Sequence, residues 1–259
     1  IAYSLKLLGI EPYILSAAGN DFDPYEKFLK SNNMDTRYIK QVKDVVTGSY
    51  FVVTDLEDNQ IGSFYGGATQ YAHELDIPSN YSEFVIISST TAQAMQKAVK
   101  QCIERKIKYV YDPAFQIGSL PEEDLRAGIT NAQIFIGNDY EIALVEKKLN
   151  IDHQTLIGMV PILITTLGAS GSIIETKEEK IDIKPAKATE VLDPTGAGDA
   201  FRGGFIAGYL RGFDLKTCGQ MGSIAAVYTV EKYGTMTHKF TQDEFLSRYK
   251  QNYLVALNL

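Results

Sequence analysis

Cysteine is nearly absent from this chain. Cys102 and Cys218 are too few for a disulfide framework and lack the spacing of a zinc site, so a reducing compartment, the cytoplasm, is expected. Histidine is as sparse: His73, His153 and His238 lie far apart in the sequence and offer no cluster for a metal. No apolar run approaches the roughly 20 residues that cross a bilayer, so no membrane partner is expected. Positive charge is not in excess either. Lys and Arg number 25 against 32 Asp and Glu, a net charge of −7, and no basic stripe suggests nucleic acid. There is no repeat, low-complexity tract or linker. Asn80-Tyr81-Ser82 fits the glycosylation sequon, but without a secretory signal in the sequence it is expected to be a chance match.

What is present is 259 residues, 45% apolar and 22% charged, the balance of a soluble chain with one large α/β domain or two small ones. Strand candidates are PYILSAAG, FVIISST, IKYVYDP, AQIFIGN and PILITTLG. Helical periodicity covers about 91–106, 122–131, 139–149, 197–211, 215–231 and 241–252. Strands apolar nearly throughout, each followed by an amphipathic helix, predict an α/β fold with a central, mostly parallel sheet and helices on both faces. Residues 45–65 break the rhythm. They alternate β-branched and aromatic residues around an acidic turn and predict an antiparallel hairpin, a small β lid. At the other end, IAYSLKLLG reads as the last turns of a helix closed by Gly9, so an upstream segment is expected.

Polar residues collect where the strands end: Ser88, Ser89 and Thr90, then Asp112, Asn138, Thr166 and Gly168. Ligands of open α/β sheets bind outside the carboxyl ends of the strands, although polar loops and helix caps would place the same residue types there. The turn DPTGAGDAFRGGF at 193–205 adds four glycines and two acids. It has no Lys for a Walker A loop, and Phe201 stands where a dinucleotide fingerprint needs its third glycine, which disfavours a Rossmann oxidoreductase. It fits an anion hole, with the amides of Ala197, Gly198 and Asp199 facing outward at a helix N-terminus. Asp199 beside an anion makes sense as a base that takes a proton from an attacking hydroxyl. Taken alone, it is equally a helix N-terminal acid favoured by the dipole. Gly203, Gly204, Ala207 and Gly208 form a small-residue face for close helix packing. Asn138 and Glu141, three apart, share a helix face that suits either Mg²⁺ held through water or a capping box.

DPTGAGDAFRGGF resembles the C-terminal signature of the ribokinase (PfkB) family of sugar and nucleoside kinases. GNDYE at 137–141, TLGASG at 166–171 and LLGIEPYILSAAGND at 7–21 resemble further family segments in the right order, so the similarity spans the chain. The resemblance implies a single ribokinase-like kinase domain over 1–259, using ATP and Mg²⁺. By it, Asp199 would be the catalytic base and Gly196, Ala197 and Gly198 the anion hole. Asn138 and Glu141 would organise Mg²⁺ through its waters. Asn138, Thr166, Gly168, Gly171 and Ser223 would line the ATP site, and Asp193 and Thr195 would hold a monovalent cation such as K⁺. It also places the family's first strand, part of the lid and a substrate-binding Asp upstream of residue 1. Pro194 and Arg202 depart from the residues often found at their positions. The hairpin and VYTVEKYGTMTHKFT at 227–241 look like the adenosine-kinase-like branch, which implies a nucleoside acceptor and transfer to its primary hydroxyl. Gln60, Phe64 and Tyr65 would then meet the base, unless they are ordinary strand residues. A homodimer through the lid is expected. A sugar kinase of the same family is the second reading, and a non-catalytic ligand-binding relative the third.

Overall fold

A computed structural model of the chain describes residues 1–54, 60–257 and 259. Its helices in chain order are α1 (Ala2–Leu7), α2 (Asp23–Ser31), α3 (Ala92–Arg105), α4 (Glu122–Thr130), α5 (Asp139–Leu149), α6 (His153–Met159), α7 (Ala197–Leu210), α8 (Leu215–Val230) and α9 (Gln242–Tyr253). The strands are β1 (Ser16–Ala18), β2 (Ile39–Gln41), β3 (Ser49–Thr54), β4 (Gln60–Tyr65), β5 (Phe84–Ser88), β6 (Lys108–Asp112), β7 (Ile134–Asn138), β8 (Ile162–Thr166), β9 (Ser172–Glu175) and β10 (Lys180–Ile183). Two compact units divide the chain: 1–12, 110–112 and 129–259 form the first, 13–109 and 113–128 the second. Among the described residues no helix is long and apolar enough to cross a membrane.

In the first unit the strands run in the order β10-β9-β8-β7-β6. β6, β7 and β8 are parallel and buried along most of their length, as strands covered on both faces must be. β9 and β10 are antiparallel additions, and their connections explain why. Only residues 167–171 separate β8 from β9, and only 176–179 separate β9 from β10, whereas a parallel return needs about a dozen residues. Helix starts are fixed by side chains: Asp152 caps α6, Asp214 caps α8, and Thr241 with Glu244 forms a capping box on α9. The small face of α7 does what its composition predicts. A Cβ added at Gly204 would lie 2.5 Å from the Met221 carbonyl oxygen on α8, so the two helices meet backbone to backbone.

The second unit carries β5 and α3, the helix capped by Thr91 and ended by Lys106 in the left-handed region. PYILSAAG, expected in the main sheet, behaves differently. Only Ser16–Ala18 is strand, and it pairs in parallel with β2, the α2 crossover having returned the chain alongside it. Tyr13 makes only an isolated bridge to Asp35. The hairpin at 45–65 is as predicted: β3 and β4 are antiparallel, in register from Ser49↔Tyr65 to Thr54↔Gln60. The acidic turn between them lies outside the described residues.

His153, at the start of α6, joins three elements of the first unit. Its Nδ1 lies 2.6 Å from Glu146 Oε1 and its Nε2 2.9 Å from Glu175 Oε2. Burial disfavours the imidazolium, but hydrogen bonds to Glu146 and Glu175 outweigh it and raise the pKa above the ordinary 6.5. A raised folded pKa gives stability that is complete below the unfolded value and lost as pH rises through the folded one. His153→Gln is therefore expected to destabilise the protein more at pH 6 than at pH 8 in urea titrations. An equal loss at both would show that the imidazolium contributes nothing.

Candidate active site

The site is built at the carboxyl ends of β6, β7 and β8 and at the start of α7. Asn138 pairs with Thr166 across β7 and β8, and Thr166 with Ser172 across β8 and β9, so three polar strand ends lie in one row. Asn138 and Glu141 form the capping box of α5. The Glu141 amide donates to Asn138 Oδ1 and the Asn138 amide to Glu141 Oε2, both at 2.8 Å. This occupies one oxygen of each side chain and leaves Glu141 Oε1 without a partner among the described residues. Thr166 is half-buried, and beyond it Gly168–Ser170 forms a 3-10 turn closed by the Leu167 amide on the Gly171 carbonyl at 2.8 Å.

The glycine turn enters α7 through Gly196, whose φ of 83° lies in the left-handed region that favours glycine. Asp199 is exposed in the first turn of the helix. Of the three amides expected to face outward, that of Ala197 is taken: it donates to the Pro194 carbonyl at 3.1 Å, because the left-handed Gly196 folds the chain back on itself. The amides of Gly198 and Asp199 have no acceptor among the described residues. Two donors, rather than three, are thus offered where a helix N-terminus favours an anion.

Asp193 braces the turn. Its Oδ1 accepts from the Thr195 amide and its Oδ2 from the Gly234 amide, each at 2.9 Å. These hydrogen bonds, Thr195 first, hold its carboxyl below the ordinary range. The loop after α8 thereby becomes a wall of the turn, with Thr235 Cβ 3.1 Å from where a Cβ on Gly196 would stand. Ser223 is buried in the middle of α8.

One element of the site was not legible as a unit. Asp112, at the end of β6, and Arg202, on α7, form a buried ion pair, with Nη2 donating to Oδ1 at 2.7 Å and Nε 2.6 Å from Oδ2. Burial raises the Asp112 carboxyl against the pull of Arg202. Burial also works against the Arg202 charge, but Asp112, then Asp199 and Glu141, outweigh it and raise its pKa. The three carboxylates and the guanidinium thus share one electrostatic field. The sequence carries both residues, Asp112 as a strand end and Arg202 as a departure, but 90 positions separate them.

In the second unit, Phe64 and Tyr65 on β4 are about half exposed. The Phe64 ring lies 6.1 Å from that of Phe115, itself exposed. The side chain of Gln60 lies outside the described residues.

Residues 1–242 match the pfkB family carbohydrate kinase model. The chain is 32% identical over 253 residues to a nucleoside kinase of Methanocaldococcus jannaschii, covering 97% of this chain and 83% of that protein. It is similar to the Burkholderia thailandensis nucleoside kinase in complex with inosine, with a TM-score of 0.95 at 27% identity, covering 99% of this chain and 87% of that one. The same enzyme in its ADP-inosine complex gives 0.94 at 28%, covering 98% and 81%. The chain belongs to the pfkB family of carbohydrate kinases.

Proposed function

We propose that this protein is an ATP-dependent nucleoside kinase that transfers the γ-phosphoryl group to a primary hydroxyl. The observation that carries the reading is the start of α7, where the exposed Asp199 carboxylate stands beside two amides that have no acceptor among the described residues. An acceptor hydroxyl gives its proton to Asp199 as its oxygen attacks phosphorus. The charge on the phosphoryl oxygens is met by the Gly198 and Asp199 amides, which need no reorganisation at the moment of transfer. The strand-end row of Asn138 and Thr166, with Gly168 and Gly171 in the turn beyond, holds ATP in this reading. One relative, in complexes with inosine and with ADP-inosine, supports the nucleoside class.

Mg²⁺ suits the donor set. Among the described residues no group of three or more His, Cys, Asp or Glu could cage a metal. Mg²⁺ takes oxygen ligands and keeps several waters, which Glu141 Oε1 and the Asn138 amide can hold. When bound, the ion supplies charge neutralisation of the β- and γ-phosphates. Asp193 and Thr195 are assigned to a monovalent cation on the same basis, the Asp193 carboxylate being ionised and held by the turn.

Phe64 and Phe115 offer flat, exposed apolar surface of the kind a purine stacks on and a bare sugar does not use, whereas Tyr65, next along β4, lies on the opposite face of the hairpin. The register of the hairpin puts Phe51, Val53, Ile61 and Tyr65 on a shared face, all exposed. We assign that face to a second copy of the chain, a homodimer that a monomeric mass in sedimentation equilibrium would exclude. Acceptor class is tested by ADP release with ATP, Mg²⁺ and a panel of adenosine, guanosine, inosine, cytidine, ribose and fructose. Nucleosides are expected to be turned over. Activity with the sugars alone would reject the nucleoside acceptor while keeping the kinase.

A further inference from the structure

Arg202 is more than a partner for Asp112. Long helical side chains run back toward the helix N-terminus, over the residues three and four before them. For Arg202 those are Asp199 and Gly198. A Cβ added at Gly198 would lie 2.8 Å from Arg202 Nη1, so the guanidinium lies against the first turn of α7. Its other two nitrogens face Asp112. Nη1 has no partner among the described residues, although the side chain is only 9% exposed. The nitrogen sealed from solvent without a well-directed hydrogen bond is Nε; Nη1 is not sealed, so it is open to an acceptor that comes to rest beside it. What stands beside it is a turn whose Gly198 and Asp199 amides also lack acceptors.

We propose that Arg202 is a further catalytic residue: its Nη1 donates to the phosphoryl group seated on the Gly198 and Asp199 amides, while Asp112 clamps the guanidinium in place. The assignment rests on the kinase reading above. In the step it serves, the acceptor oxygen forms a bond to the γ-phosphorus. The bond from that phosphorus to the ADP oxygen breaks, with its electron pair leaving on ADP, and the hydroxyl proton passes to Asp199. Arg202 neither gains nor loses a proton. It meets charge on the transferring oxygens, and a carboxylate clamp is what keeps so long a side chain aimed. The glycine at 198 leaves room for this group, since a methyl there would push Nη1 aside.

The experiment compares wild-type protein, Arg202→Met and Arg202→Lys in steady-state kinetics with ATP, Mg²⁺ and the best nucleoside of the panel, with thermal unfolding alongside. Removing one such donor is expected to lower kcat about 10²-fold or more. The nucleoside KM should move by no more than about threefold, the signature of an interaction made in the transition state. Arg202→Lys should fall between, keeping the charge but losing the fork. A folded Arg202→Met with unchanged kcat, or with losses confined to thermal stability or KM, overturns the proposal. If Arg202→Met does not fold, Asp112→Asn keeps the arginine and loosens its clamp: a fall in kcat supports the assignment and an unchanged kcat overturns it. Wild-type protein that turns over no acceptor overturns the kinase reading and this one with it; active wild type with unchanged variants overturns this one alone.

Discussion

Asp199→Asn is expected to lose turnover by about 10²–10⁴-fold, the range a general base supplies, while ATP binding stays close to wild type. The asymmetry follows from position. Asp199 is exposed in the first turn of α7, and no side chain of the described fold depends on it for a hydrogen bond. The substituted side chain keeps the shape of the original, and the backbone amides at positions 198 and 199 stay in place for the phosphate. A helix N-terminus loses only about 0.3–1 kcal/mol with its acidic residue, so the variant should remain folded. Rapid-mix assays of ADP formation, with calorimetry of ATP binding, read the two effects separately. Turnover near wild type would remove Asp199 from the chemistry and leave it as a helix-start acid.

Asp112→Ala should be the most destabilising single change in the site, by about 3–5 kcal/mol, the usual cost of leaving one partner of a buried ion pair alone. Arg202 would keep its charge with its clamp gone, on a helix packed backbone-close against α8. Urea titration of the variant measures this directly. Replacing both partners, as Asp112→Leu with Arg202→Met, should recover most of the lost stability, because a buried pair often does little better than apolar residues of similar volume. A single variant as stable as wild type would mean that water reaches the guanidinium. Loss of stability in the double variant equal to that in the single would point instead to poor packing at the end of β6.

Much of this was readable beforehand because the cues are local. Helices α3, α5, α7, α8 and α9 fall close to their predicted bounds, since period and caps announce them. The strand ends at Asn138 and Thr166 came from apolar runs that stop at a polar residue, and the structure sets them side by side. β9 and β10 carry no such cue, because each is four residues long and is specified by the short turn before it more than by its own pattern. The pairing of β1 with β2 is not legible in PYILSAAG, because an apolar run does not say which strand it will pair with. The fate of the Ala197 amide depends on the φ of Gly196, which composition allows but does not dictate. Asp112 and Arg202 were each visible, yet a pair 90 positions apart leaves no spacing to recognise.

The bond from the Gly234 amide to Asp193 bears on how the chain becomes an enzyme as it is made. The run DPTGAGDAFRGGF is complete at residue 205, but the residue that fixes the turn ahead of α7 comes 41 positions after Asp193. Until it arrives, one oxygen of Asp193 has no native donor and the wall provided by Thr235 is missing. A nascent chain can therefore possess Asp199, its glycines and Arg202 before the turn ahead of them is braced. The bracing of the start of α7 is gained late in synthesis, with the loop that follows α8.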